Sequence, residues 1–160
     1  MNKLLKIIKL SLIILILSGC AYEPIFFKKS YNFKIEEIRL SGDKTVNSIL
    51  NSKLKFIKNS DANINNAKKY FINLNTEKER KVISKDSKGD PSKFEISILT
   101  NYEISDNQKL LISREIEQTN IYNNNSDKFK LEQSEKIIVE NLSEKIVDEI
   151  ITSLINLNDN

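Results

Sequence analysis

Apolar residues recur along this chain with two different periods, which divide it into strands and helices. In the segment FKIEEIRL, 33–40, Phe33 and Ile35 alternate, and Ile38 and Leu40 continue in a shifted phase. This pattern predicts a strand with one irregularity, such as a β-bulge. From about 44 to 58 the apolar spacing changes to i, i+3, i+4, i+8 and i+11, which predicts a helix. Asp43 and Thr45 are its candidate N-caps.

Three further strands are predicted in the middle of the chain. Residues 69–84 begin with apolar alternation and become charged, which predicts one long strand whose tip projects past the core. A loop with Gly and Pro at 86–91 precedes unbroken alternation over 94–104. A short turn at 105–108 leads into alternation over 109–122. Because that connection is short, these last two strands should pair antiparallel.

From Ser126 the apolar period returns to 3.6, which predicts a helix of about 30 residues. The predicted fold is therefore α+β in the order β-α-β-β-β-α. Two helices pack on one face of a four-stranded, mostly antiparallel sheet, since this buries every apolar face. The order of the first two strands is not determined by the pattern. We expect a single α+β domain over 33–157.

Composition excludes several function classes. The 160 residues include no His and only three Gly, so the commonest proton-transfer group and metal ligand is missing, and no Gly-rich phosphate loop can form. We expect no metal site, no cofactor and no enzymatic activity. The formal charge of +3 comes from three lysines in residues 1–19. The rest of the chain has 22 basic and 22 acidic residues and is formally neutral. We therefore expect no nucleic-acid partner.

Catalytic arrangements are few. Glu36 and Glu37 are adjacent carboxylates, but neighbours on a strand point to opposite faces and do not converge. An esterase built on a Ser–Lys pair is the alternative, although the chain has no Ser-centred elbow motif.

Residues 1–19 have the order of a secretory signal peptide: a basic end, the apolar run LSLIILIL, and the small residues Ser18 and Gly19. A retained membrane anchor is the alternative, but the run is much shorter than the ~20 residues that span a bilayer. Cleavage is expected between Gly19 and Cys20. Cys20 is the only cysteine, so a disulfide within the chain is excluded, and a buried structural thiol is the other alternative.

Leu17-Ser18-Gly19-Cys20 resembles the bacterial lipobox. The resemblance implies a covalent lipid, a diacylglycerol with further acylation such as palmitate, on Cys20, with residues 20–32 as a lipidated tether. Several acyl chains give stable anchoring. Residue 21 is Ala and not Asp, which favours the outer membrane, with the domain on its periplasmic side. The aromatic residues that follow could lie near the membrane, against a partner or in the core: Tyr22, Phe26, Phe27, Tyr31 and Phe33.

The stretch Cys20-Ala21-Tyr22-Glu23-Pro24-Ile25-Phe26 resembles the Cys-Gly-Phe-x-Pro-Leu-Tyr opening of the alphaproteobacterial LptE family of lipopolysaccharide-assembly lipoproteins, with Ala21 in place of the usual Gly. The element order and residues 119–154 are also similar to that family. The resemblance implies a lipoprotein that plugs and helps assemble an LptD-like β-barrel, and aids lipopolysaccharide delivery to the outer leaflet. The alternative is a periplasm-facing lipoprotein subunit of another envelope lipid-transport or assembly complex.

Basic residues concentrate near the predicted tip of the second strand. Lys and Arg pair with phosphates such as those of lipid A, so these side chains are candidate lipid-phosphate ligands. The alternative is a solvated loop, because Glu77, Glu79 and Asp86 are interspersed among them. The candidates are Lys78, Arg80, Lys81, Lys85 and Lys88.

Overall fold

The computed structural model describes residues 33–58, 67–107 and 109–159, and has the predicted α+β order. The signal peptide, Cys20 and the tether lie outside the described residues. The strands form one sheet in the order β1-β2-β3-β4, with β1 parallel to β2 and the other pairs antiparallel. The elements are β1 (Phe33–Gly42), α1 (Lys44–Lys58), β2 (Lys68–Lys85), β3 (Pro91–Ser105), β4 (Leu110–Asn123) and α2 (Lys128–Asn158).

The predicted irregularity in β1 is a β-bulge. The pairing of β1 with β2 shifts between Ile35 and Glu37, so that Ile35 is opposite Tyr70 and Ile38 is opposite Ile72. A strand without the extra residue would turn every later side chain to the opposite face. The bulge therefore keeps the apolar residues of both halves of β1 on the face that the helices cover.

The core lies between the helices and one face of the sheet. Along β3, every even-numbered residue from Phe94 to Ile104 is buried, as the alternation predicts. Tyr102 and Ser153 join β3 to α2 inside this core through a hydrogen bond of 2.8 Å between their hydroxyls. The largest fully buried aliphatic side chains come from the strands and from both helices, and they are Ile35, Leu50, Leu54, Ile72, Ile98, Ile104, Leu142, Ile146, Ile150 and Leu154.

A tight connection joins β1 to α1. Gly42 has φ +95°, and a Cβ at this position would lie 1.9 Å from the carbonyl oxygen of Thr76. Asp43 then caps the helix, because its Oδ1 accepts hydrogen bonds from the backbone N–H groups of Thr45 (3.0 Å) and Val46 (2.9 Å). Of the two predicted cap candidates, the structure uses Asp43.

The two positive-φ glycines predict a matched pair of mutational effects. Gly42→Ala should lower the free energy of unfolding by more than about 3 kcal/mol, since it combines left-handed strain with a backbone clash. Gly89→Ala should cost only about 1 kcal/mol, because φ is +89° there but nothing lies within 4 Å. Chemical denaturation measures both values. Equal losses would contradict the proposed role of the Thr76 carbonyl.

Candidate lipid-binding groove

A groove of about 560 Å³ opens on the helix-covered side of the molecule, between the first half of α1 and the first third of α2. Its floor is apolar, formed by Ile49, Ile96 and Val139. Hydroxyls and charged groups surround this floor. We call it the helix-face groove, and its lining residues are Thr45, Ser48, Ile49, Lys78, Arg80, Ile96, Glu135, Lys136, Val139 and Glu140.

The groove begins where the apolar pattern of β2 ends. The side chains of Ile72, Leu74 and Thr76 are buried beneath the helices. The next residues on the same face are Lys78 and Arg80, because side chains on one face of a strand recur every second residue. β3 remains apolar over this stretch, since Lys78 is opposite Ile98 and Arg80 opposite Ile96. The positively charged side chains of β2 therefore lie beside buried apolar side chains of β3.

Arg80 is held by contacts with three elements. Its Nε donates to Glu135 Oε1 (2.9 Å) and to the Tyr122 hydroxyl (3.1 Å), and its guanidinium lies 3.6 Å from the ring centroid of Phe94. Tyr122 in turn donates to Glu135 Oε1 at 2.6 Å. Charge-assisted bonds and a cation–π contact of this kind fix the orientation of a long side chain. The groove wall is therefore ordered before any ligand binds.

Burial and the hydrogen bond to Glu135 raise the pKa of Tyr122 to about 12, although Arg80 acts in the opposite direction. Burial also lowers the pKa of Arg80, but hydrogen bonds to Tyr122 and Glu135 outweigh it, and the net shift is upward. Arg80 therefore keeps its positive charge, and Tyr122 keeps its proton, over the whole physiological range.

Lys78 connects the groove to the start of α1. Its Nζ lies 3.3 Å from Asp43 Oδ2, on the residue that caps the helix. Burial would raise the pKa of Asp43, but the N–H of Val46 and the charge of Lys78 reverse this, and the pKa is lowered. The carboxylate that holds Lys78 in place is therefore ionised at neutral pH.

Lys136 is the groove cation with the most freedom to meet a ligand. It is exposed on α2, one turn before Val139, and forms no ion pair with any described residue. Sequence reasoning missed it, together with Glu135 and Tyr122. They are distant from β2 in the sequence, and only tertiary packing brings them to the groove.

The structure separates the five basic residues that the sequence groups together. Lys78 and Arg80 lie in the helix-face groove, whereas Lys81 points to the opposite face and pairs with Glu79 at 2.7 Å. Lys85 and Lys88 lie at the exposed end of the β2–β3 hairpin. Strand alternation explains why Arg80 and Lys81 do not act together, since adjacent residues of a strand face opposite sides of the sheet.

The paired carboxylates do not converge. Glu37 accepts two bonds of 2.9 Å from Arg39, and Glu36 lies 3.6 Å from both Lys34 and Lys69. Among the residues that the structure describes, no three His, Cys, Asp or Glu side chains are grouped so that they could hold a metal ion. Neither described helix has the length and apolarity required to cross a membrane.

Comparison with known proteins identifies the fold. No protein-family profile and no curated protein sequence matches the chain. Among solved structures, rare lipoprotein B from Shewanella oneidensis aligns with a TM-score of 0.54 at 16% identity, over 76% of this chain and 98% of that one. The fold is that of rare lipoprotein B. The proteins of this name form the LptE family, so the predicted LptE-like fold is confirmed; the alphaproteobacterial type stays a prediction.

Two further solved structures share this fold. A lipoprotein B from Nitrosomonas europaea aligns with a TM-score of 0.59 at 16% identity, over 79% of this chain and 86% of that one. A minor lipoprotein from Acinetobacter baumannii aligns with a TM-score of 0.50 at 14% identity, over 76% of this chain and 94% of that one. The rare lipoprotein B fold thus accounts for most of the chain.

The raised pKa of Tyr122 predicts a pH-dependent stability. Since the folded pKa of about 12 exceeds the unfolded value of 10.0, the stabilisation is complete below pH 10 and is lost as the pH rises to 12. Tyr122→Phe should therefore be less stable than the wild type by about 1 kcal/mol at pH 8. That difference should shrink between pH 10 and 12 in parallel denaturant titrations. A difference that stays constant with pH would contradict the assignment.

Proposed function

We propose that this chain is an outer-membrane lipoprotein, anchored through Cys20 with its domain on the periplasmic side, that plugs and helps assemble an LptD-like β-barrel. It aids lipopolysaccharide delivery to the outer leaflet by binding and not by catalysis. The observation that carries the proposal is the rare lipoprotein B fold over 76–79% of the chain. The Leu17–Cys20 lipobox, at the end of a leader-like segment, supports it independently.

The helix-face groove supplies a means of binding lipopolysaccharide. An acyl chain of lipid A can lie on the apolar floor of Ile49, Ile96 and Val139. A phosphate of the same molecule can pair with Lys136 at the rim, where Lys78 and Arg80 add positive potential. Glu135 and Glu140 reduce the net charge, which favours reversible binding over tight retention. A delivery protein needs to release its lipid.

Lys85 and Lys88 have a second role in this proposal. They lie at the exposed hairpin end, where Val82 and Ile83 are 45% and 43% exposed. Cations next to exposed apolar side chains suit the boundary between the phosphates and the acyl chains of a lipid. Lys81 is ion-paired on the other face of the sheet, so it contributes less to lipid binding.

Co-purification tests the proposal. The full chain, tagged at its C-terminus, is extracted from membranes in mild detergent, and the bound proteins are identified by mass spectrometry. We expect an LptD-like barrel in nearly equimolar amount, and we expect the intact mass of the purified chain to show cleavage before Cys20 and an acylated Cys20. Recovery of inner-membrane transport subunits without a barrel would reject the proposal in favour of another envelope lipid-transport complex.

A further inference from the structure

One end of the domain joins the start of the sheet to the last turns of both helices. Lys58, in the last turn of α1, donates to the backbone carbonyl of Glu36 at 2.6 Å. Lys68, the first residue of β2, donates to the backbone carbonyl of Leu157 in α2 at 3.3 Å. The tether of residues 20–32 leads into β1 at this same end. We therefore call it the tether end.

The turn between β3 and β4 belongs to the tether end as well. Ser105, the last residue of β3, is opposite both Phe71 of β2 and Leu110 of β4. Phe71 is close to the start of β2, so the turn lies beside the residues that open the sheet. The described residues of the tether end are 33–36, 55–58, 67–70, 105–107, 109–110 and 155–159.

Lysines outnumber acidic residues at the tether end. Its described residues have six lysines and three acidic side chains, a side-chain charge of +3. The adjoining residues outside the described part, 20–32 and 59–66, add two lysines and two acidic residues, so the excess is unchanged. Lys34 and Lys69 each lie 3.6 Å from Glu36, and the other four form no ion pair with a described carboxylate. These four are Lys55, Lys58, Lys68 and Lys109.

Two large apolar side chains are exposed among these lysines. Phe56 is 49% exposed and follows Lys55 in the sequence, and Leu110 is 55% exposed and follows Lys109. Single exposed apolar residues are common on protein surfaces. An apolar side chain next to a lysine is also the combination that suits a lipid surface, since the first enters the headgroup region while the ammonium group reaches a phosphate.

The length of the tether determines which end of the domain can rest on the membrane. Its 13 residues span at most about 45 Å when fully extended, at ~3.3–3.6 Å per residue. β2 has 18 residues and is roughly 60 Å long, at ~3.4 Å per residue. A domain that stood on its β2–β3 hairpin would therefore place Phe33 too far from the membrane for Cys20 to reach it. A domain that stands on the tether end meets no such limit.

We propose that the tether end docks on the phospholipid surface of the membrane that holds the lipid of Cys20. Phe56 and Leu110 enter the headgroup region of that membrane. Lys55 and Lys109 pair with the phosphates of anionic phospholipids. This inference rests on the lipidation of Cys20 in the proposed function, and it concerns the lipoprotein before it joins a barrel.

Docking in this orientation determines where the helix-face groove lies. Lys78 is ten residues along β2 from Lys68, which places the groove roughly 34 Å above the phospholipid surface, at ~3.4 Å per residue. The groove is then out of reach of the phospholipids below it. It is open to a lipid that arrives from the periplasm, as a delivery protein requires.

Fluorescence quenching tests the orientation, because the chain contains no Trp that would obscure an introduced one. The full-length acylated lipoprotein, overproduced without a barrel, is reconstituted into vesicles of phosphatidylethanolamine and phosphatidylglycerol with brominated acyl chains. Phe56→Trp should be quenched at least about twofold more than Phe129→Trp, since only a ring at the acyl boundary meets the bromines. Phe129 is the matched control, because it is 70% exposed and lies at the start of α2, at the opposite end of the domain.

Removal of charge tests the role of the lysines. In the Phe56→Trp chain, Lys55→Gln/Lys109→Gln should lower the quenching at least about threefold, because two attractions to anionic lipid are lost. The control Lys128→Gln/Lys145→Gln removes the same charge at exposed positions of α2 outside the tether end. It should leave the quenching unchanged. Vesicles of phosphatidylcholine alone should quench Phe56→Trp less than the anionic vesicles do.

Several results would overturn the inference while the proposed function stands: equal quenching of Phe56→Trp and Phe129→Trp, no quenching of Phe56→Trp, or an equal effect of the two lysine pairs. The vesicles contain no barrel, so a co-purification without a barrel would overturn the proposed barrel partner and leave the docking result as measured. An intact mass that shows no acyl group on Cys20 would overturn the anchor on which both depend.

Discussion

Both helices must bury their apolar sides against the same face of the sheet, and this requirement determines the role of each strand residue. A strand has a side-chain period of two, so each position either meets the helices or points away from them. In β3 every position that faces the helices is buried, from Phe94 to Ile104. In β1 the same requirement is satisfied only because a bulge between Ile35 and Glu37 corrects the phase.

The candidate lipid-binding groove arises where this burial stops. β2 continues past Thr76 with cations on the helix face, and there the core gives way to a groove with an apolar floor. The network of Arg80, Tyr122 and Glu135 then fixes the wall of that groove. On the opposite face, nothing described covers the sheet, and the odd-numbered positions of three strands bring glutamates into register.

Local sequence patterns predict most of the fold. The two helices, the strands, the bulge and the Asp43 cap follow from periodicity and capping chemistry, which depend on neighbours in the sequence. The parallel pairing of β1 and β2 does not follow from the pattern, because it depends on how α1 crosses the sheet. The site was less predictable from the sequence. Only two of the five basic candidates line the groove, and Lys136, which the sequence did not suggest, lies on a helix far from β2 in the sequence. Such contacts have no local signature.

Binding of purified lipopolysaccharide to the full chain tests the central claim most directly, through a comparison of the wild type with Lys136→Ala and Lys145→Ala. Both lysines are exposed on α2, but only Lys136 lines the groove. Lys136→Ala should bind about tenfold more weakly, as expected for the loss of one charge-assisted phosphate contact. Lys145→Ala should bind like the wild type. Wild-type affinity in Lys136→Ala, or an equal loss in Lys145→Ala, would contradict lipid binding in the groove.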